Sequence, residues 1–298
     1  MITVDHLSPD ADALAKAIES DPQFRVLREV PEPFSSMPNN GAPPDGKCVC
    51  IIDLETSGLD PERDAIIELA LMMVFVSEDG EVLGHFGPLS WKEDPVIPLE
   101  PEITMLTGLC NHHLTGHTID DAAVMGMLDR ADLLVAHNCA FEIGWLDRRY
   151  PALKGKPWAC SMRDIPWLQL GLDGRAQTAL LNQHDWFFSA HRAAADVWSL
   201  LVLLRESRNG WLKGPPQTHL QRLLTAADRT TTMVEARGAP FAAKDRLRAR
   251  GYRWQPSPQK VWAKEIEQIA LEHEQTWFQI EGLPMPRVKP ITACERHR

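Results

Sequence analysis

Residues 48–55, CVCIIDLE, constrain the chain more than any other stretch: they form an apolar strand pattern that ends in two acids. A repeat of two places Asp53 and Glu55 on the same face of that strand. Two like charges on one face raise the cost of ionising each other, and a divalent cation removes that cost. The alternative is a pair of solvated strand-end acids. The polar turn that follows, Thr56-Ser57-Gly58-Leu59, weighs against it, because it leaves room for a ligand beside the acids. The same repeat puts Cys48 and Cys50 together on one face, where they read as small apolar core residues.

Elements on either side build a sheet around this strand. DAIIELALMMVFVS reads as a second strand, EDG as a hairpin turn and EVLGHFGPLSW as a third strand, an antiparallel start. After residue 100, PEITMLTGL and DDAAVMGMLDRA have helical spacing. ADLLVAHN reads as a short buried strand, FEIGWLDRRY as a helix, and HRAAADVWSLLVLLRES as a strong amphipathic helix. Strands alternating with helices indicate an α/β fold. Residues 1–32 read as a helix–strand extension. Residues 33–46, dense in Pro, Gly, Asn and Ser, read as a linker, and 47–210 as the main domain. GWLKGPPQ marks a break. Residues 228–268 read as a basic accessory segment with a helix (FAAKDRLRAR), a strand (GYRWQ), a PSP turn and a strand (KVWAKEI). Residues 283–298, with three prolines, read as a loose tail.

Composition excludes several classes. With 31 basic and 41 acidic residues the net charge is −10, so this is no uniformly basic coat for nucleic acid. Hydrophobic residues at 44% exclude wholesale disorder. No apolar run approaches the roughly 20 residues that span a bilayer, and acids occupy the start where a signal peptide needs a basic region. A cytoplasmic protein with no membrane partner is expected. Six cysteines in 298 residues make no disulfide framework. Residues 233–264 differ from the rest: eight basic side chains against Glu235 and Asp245 give 8 − 2 = +6. Basic residues interleaved with aromatics bind single strands by stacking and charge. The competing reading, and the favoured one for Trp254 and Trp262, makes those aromatics the core of a small helix–hairpin, with the arginines left facing nucleic acid.

Two further constellations carry chemistry. Ala136-His137-Asn138-Cys139-Ala140-Phe141-Glu142 is a strand end delivering polar groups to a helix with an acid in its first turn. His191-Arg192-Ala193-Ala194-Ala195-Asp196 opens the long amphipathic helix, with His191 on the preceding loop. Glu142 also has a plain reading as an acid favourable to the helix dipole, and a lone histidine is often structural. A zinc site at Cys110, His112, His113 and His117 is disfavoured, since it offers one thiol and no CxxC pair.

In this order and spacing, Asp53-Leu54-Glu55-Thr56-Ser57-Gly58-Leu59, His137-Asn138-Cys139-Ala140-Phe141-Glu142 and His191 through Asp196 resemble the three motifs of the DEDDh 3′–5′ exonucleases. These include the proofreading subunit of bacterial replicative polymerases. Pro101-Glu102-Ile103-Thr104-Met105-Leu106-Thr107-Gly108-Leu109 is similar to the family's connecting segment, and the resemblance spans about residues 47–207. It implies a ribonuclease H-like mixed five-stranded sheet flanked by helices, followed here by a small α+β C-terminal segment. It also implies two Mg²⁺ or Mn²⁺ ions about 3.5–4 Å apart, held by Asp53, Glu55, Asp196 and Glu142. His191 would be general base. Thr56, Leu59, His137 and Asn138 would contact substrate, with Leu59 as a wedge. The implied activity releases nucleoside 5′-monophosphates from nucleic-acid 3′ ends, DNA ahead of RNA, and the implied partners include a DNA polymerase or repair protein. One position departs: the family's second motif has Asp where this chain has Glu142, whose extra methylene extends the carboxylate by about 1.5 Å. That keeps open a catalytically weakened nucleic-acid-binding module or a polymerase-associated subunit.

Overall fold

The computed structural model describes residues 9–256 and 260–298. The first eight residues, part of the start compared with a signal peptide, and most of the PSP turn lie outside the described residues. The chain divides between Ala226 and Ala227 into two compact units.

The first unit is built on a mixed five-stranded sheet. Its strands are β1 (Lys47–Thr56), β2 (Ile66–Val76), β3 (Val82–Lys92), β4 (Leu133–Ala136) and β5 (Trp158–Cys160), in the order β3-β2-β1-β4-β5. β1, β2 and β3 are antiparallel neighbours, whereas β4 runs parallel to β1 and β5 parallel to β4. On one face of β1, Cys48, Cys50, Ile52 and Leu54 pack with Val124 and Leu128 of α1 (Asp121–Arg130) and with Ile143 and Leu146 of α2 (Cys139–Arg149). The alternate residues Val49 and Ile51 are equally buried, and α3 (Ala193–Arg205) packs along β1, β2 and β3. Strands covered on both faces lose the apolar–polar alternation, which is why β1 and β2 read as unbroken apolar runs. All six cysteines are free, and Cys48, Cys50, Cys139 and Cys160 are buried.

Two features of this unit differ from the sequence reading. Residues 33–46 are not a bare linker. Ser36 exchanges backbone hydrogen bonds with His85 of β3 at 2.9 and 2.8 Å. The Phe34 ring sits edge-on against His85 and Trp198, with centroids 5.2 and 5.3 Å away. A single aromatic among turn-forming residues is enough to anchor the run. β5 is three residues long, too short for its sequence to show a period.

The second unit has a four-stranded antiparallel sheet of β6 (Thr231–Glu235), β7 (Arg253–Gln255), β8 (Val261–Glu267) and β9 (Arg287–Ile291), ordered β9-β6-β8-β7. Two helices accompany it, α4 (Lys244–Ala249) and α5 (Leu271–Ile280). Val234, Leu247, Tyr252, Ile266, Phe278 and Leu283 form its core. β9 falls where a loose tail was expected. Its Pro290 cannot donate to a ladder, and the strand lies at the sheet edge, where proline is tolerated. Trp254 is not the core residue expected of it: it is 50% exposed, and Tyr252 and Phe278 fill the interior instead. Among the described residues no helix is long and apolar enough to cross a membrane.

Candidate active site

Alternation along β1 sends Asp53 and Glu55 to the face opposite Ile52 and Leu54. Asp196, in the first turn of α3, meets them there. One carboxylate oxygen from each of Asp53, Glu55 and Asp196 lies within 4.8 Å of the other two. Among the described residues this is the one cluster of His, Cys, Asp or Glu with a three-ligand geometry. Cys110, His112, His113 and His117 form no such cluster; the Cys110 thiol instead lies 3.4 Å from His113 Nδ1, within one turn.

The electrostatics of the cluster are unfavourable without a cation. Loss of water raises the Asp53 carboxyl well above its ordinary range, and Asp196, Glu142 and Glu55 raise it further. Burial first, then Asp196 and Glu68, push Glu55 up to about 8. Asp196 is raised by burial despite the hydrogen bond its Oδ2 accepts from the Arg192 N–H at 3.0 Å. Glu142, in the first turn of α2, stands outside the three-oxygen cluster. It is 4% exposed, burial raises it to about 8, and its Oε2 is buried with no hydrogen-bond partner. That is no solvated helix-dipole acid. An orphaned buried carboxylate oxygen beside three crowded carboxylates is what an oxygen-liganded cation would satisfy, and an all-oxygen donor set suits Mg²⁺ or Mn²⁺ rather than zinc.

His191 lies on the exposed loop before α3 and is in the left-handed region, with φ 67°. For a residue with a Cβ that conformation costs on the order of 1 kcal/mol, so something must hold it. The neighbouring residue does. Arg192 donates through Nε and Nη2 to the two oxygens of Glu68 at 3.1 and 3.0 Å. Glu68 also accepts from the Ala193 N–H at 3.2 Å and from Ser90 Oγ at 3.0 Å. Burial pushes Glu68 up, but these donors outweigh it and hold the carboxyl below its ordinary value. Glu68 stands directly across from Glu55 in the β1–β2 register. Neither Glu68 nor the anchoring role of Arg192 was read from the sequence. The signal was present: one acid inside the apolar run IIELALMMVFV is a buried charge that requires a partner.

The turn after β1 is rigid. Thr56 Oγ1 donates to the Gly58 carbonyl at 2.6 Å, and the Ala65 N–H donates to Ser57 Oγ at 2.9 Å. A Cβ on Gly58 would meet the Asp64 carboxylate at 2.3–2.6 Å, so a larger residue there would require the Asp64 side chain to move. Leu59 projects from this turn 85% exposed. Asn138 is exposed at the start of α2. His137 behaves differently from expectation: Nδ1 lies 2.8 Å from Ser161 Oγ and Nε2 2.6 Å from the Arg175 carbonyl. Both ring nitrogens are engaged within the chain, so the ring clamps a loop and has no free polar atom for substrate.

Residues 50–201 match the exonuclease family known as RNase T, and this stretch contains every candidate site residue. The chain is 28% identical over 169 residues to the PolC-type DNA polymerase III of Clostridium perfringens, covering 53% of this chain and 11% of that protein. With the PolC-type DNA polymerase III of Bacillus subtilis it shares 33% identity over 105 residues, 35% of this chain and 7% of the polymerase. The matched segment is thus a small fraction of those relatives' length. Among solved structures, exonuclease X in complex with 5′ overhanging duplex DNA aligns at 23% identity and a TM-score of 0.39, covering 51% of this chain and 86% of that one. Exonuclease I of E. coli in complex with a dA16 oligonucleotide aligns at 14% identity and a TM-score of 0.44, covering 80% and 68%. With more than half of its length matched by one family and the acids of the first and third motifs gathered at one end of a mixed sheet, the chain belongs to the exonuclease family and is a DnaQ-like nuclease of the ribonuclease H-like superfamily.

Proposed function

We propose that this nuclease is a metal-dependent 3′–5′ exonuclease that releases nucleoside 5′-monophosphates from the 3′ end of single-stranded or frayed nucleic acid, DNA ahead of RNA. The observation that carries the reading is the convergence of Asp53, Glu55 and Asp196 oxygens within 4.8 Å, next to a histidine held on a loop. Mg²⁺ or Mn²⁺ ions held by these three residues and Glu142 would supply an activated water and neutralise charge on the departing 3′-oxygen. The protein's own residues do the rest. His191 takes the proton from the attacking water as its oxygen bonds to phosphorus and the bond from phosphorus to the 3′-oxygen breaks. The Glu68–Arg192 pair holds His191 in position. Thr56 and its backbone seat the terminal nucleotide, and Leu59 wedges against the terminal bases. The DNA preference is supported by the relatives, which are DNA polymerases. The same likeness favours a polymerase as partner in a second reading, and the free, buried thiols suit the cytoplasm.

A digestion panel of 5′-labelled and 3′-labelled DNA and RNA strands tests the polarity. A 3′ label should appear at once as mononucleotide and a 5′ label as a descending ladder, both stopped by EDTA. The reverse pattern removes the 3′–5′ assignment, and full activity in EDTA removes the metal.

Glu142 should matter in proportion to its reach. Glu142→Asp, with the shorter arm, is expected to keep or raise activity. Glu142→Ala should cut it about ten- to hundredfold, the usual worth of a supporting ligand. Mn²⁺ should serve the native enzyme at least as well as Mg²⁺, which demands near-ideal octahedral geometry. Equal initial rates for all three proteins would take Glu142 out of the site.

The raised carboxyls also set a pH dependence of stability. Glu55 and Glu142 titrate at about 8 folded, against 4.5 for an ordinary glutamate. Between those values the folded chain holds more protons than the unfolded one, so these groups lower stability as pH rises through that window. Thermal scans in EDTA should show Glu55→Gln level with the native protein near the acid end and more stable near the alkaline end. Divalent ion should close the gap by stabilising the native protein. A Glu55→Gln melting point that tracks the native one at every pH would refute this.

A further inference from the structure

We propose that the second unit carries a binding surface for single-stranded nucleic acid centred on Trp254, made of residues other than those of the nuclease site; this rests on the reading that the enzyme acts on nucleic acid. The eight basic residues of 233–264 are not equivalent in the structure. Arg246 pairs with Glu281, Arg250 and Lys264 with the buried Glu274, and Arg237 with Glu235. Those four are committed to the unit's own fold. Of the other four, Lys244 and Arg248 lie over aromatic rings, and Lys260 and Arg253 line the cavities beside Trp254. Lys244 Nζ lies 4.5 Å from the Phe241 ring centroid and Arg248 Cζ 5.9 Å from that of Trp262. Arg253 precedes Trp254 on β7, and Lys260 leads into β8 just before Trp262. Asp245 is 3.9 Å from Arg248 with both side chains exposed, a contact worth little in water.

Trp254 and Trp262 face each other across the β7–β8 pair, edge to face, with centroids 5.8 Å apart. Both rings line two cavities. One, of about 450 Å³, adds Phe241 and Lys260; the other, of about 540 Å³, adds Arg248 and Arg253. Trp254 is 50% exposed and Phe241 81%. Large rings left in water beside cations offer what an unpaired nucleotide needs: a π face for each base and a positive charge for each phosphate. A duplex keeps its bases stacked on each other and presents no face to Trp254, so the occupant is a single strand.

The test uses the full chain in EDTA, where binding is read without cleavage, and the anisotropy of labelled oligo-dT, oligo-rU and a blunt duplex. Stacking on one aromatic is worth about 1–3 kcal/mol, so Trp254→Ala should weaken oligo-dT binding about fivefold or more. Oligo-rU should lose as much, because stacking and charge ignore the sugar, and the duplex should lose nothing. The double variant Arg253→Ala/Lys260→Ala, at exposed positions that leave the core intact, should weaken single-strand binding and lower its salt slope by about 1.4, or 0.7 for each phosphate contact. Single-strand binding within twofold of native by both variants overturns the proposal, as does an equal loss on the duplex. A chain that fails to release 3′ nucleotides but shows these losses would end the exonuclease reading and keep this one.

Discussion

Asp53→Ala is expected to reduce hydrolysis to background while leaving a folded protein. Asp196, Glu142, Glu55 and Glu68 each push the proton affinity of Asp53 up, on top of lost hydration. A group at the centre of that repulsion is the one a shared cation would contact most, and its removal takes away the negative charge that draws ions in. Its contribution to the fold is small by comparison. The β1 backbone there stays paired with Ala70, and deleting one of several crowded carboxylates relieves repulsion. Melting in EDTA should therefore be unchanged or raised, while Mn²⁺ titration by calorimetry should lose its heat. Hydrolysis at the native rate by a folded Asp53→Ala protein would sink the assignment of the site.

Much of the fold and of the candidate site could be read from residue order, because both rest on local periods. The repeat of two in CVCIIDLE requires Asp53 and Glu55 to share a face, and it holds in β1 with Cys48, Cys50, Ile52 and Leu54 on the opposite side. The helical repeat after His191 likewise delivers Asp196 at the first turn of α3. What could not be read depends on contacts across the chain. Glu68 and Arg192 are 124 residues apart, and no spacing rule joins them. His137 looks like a site residue by its neighbours, yet Ser161 and Arg175 occupy its ring. In the second unit the sequence gives the number of cations but not their partners. Glu274 of α5 and Glu281 just after it, which neutralise three of them, lie outside the segment that reads as basic. Pro290 marked a strand edge that read as a tail.

His191→Ala should lower the rate by about two to four orders of magnitude, the usual range for general acid–base assistance, with metal binding retained. Neither of the two other candidate histidines is a ready substitute. His137 is clamped at both ring nitrogens, and His184 Nε2 lies 3.0 Å from His219 Nε2 with its ring mostly enclosed. The backbone at His191 allows a sharper experiment than alanine alone. With φ at 67° the position suits glycine, which pays no Cβ penalty there. His191→Gly should therefore be at least as stable as the native protein and as inactive as the alanine variant, which separates loss of the imidazole from loss of structure. Exposed as it is, the ring takes little packing with it. Added imidazole should restore part of the rate to the glycine variant, whose missing side chain leaves space for it, and should leave the native enzyme unaffected. A loss smaller than tenfold in both variants, with no imidazole rescue, would show that the proton leaves the water by another route and that the loop held by Glu68 and Arg192 serves only to shape the site.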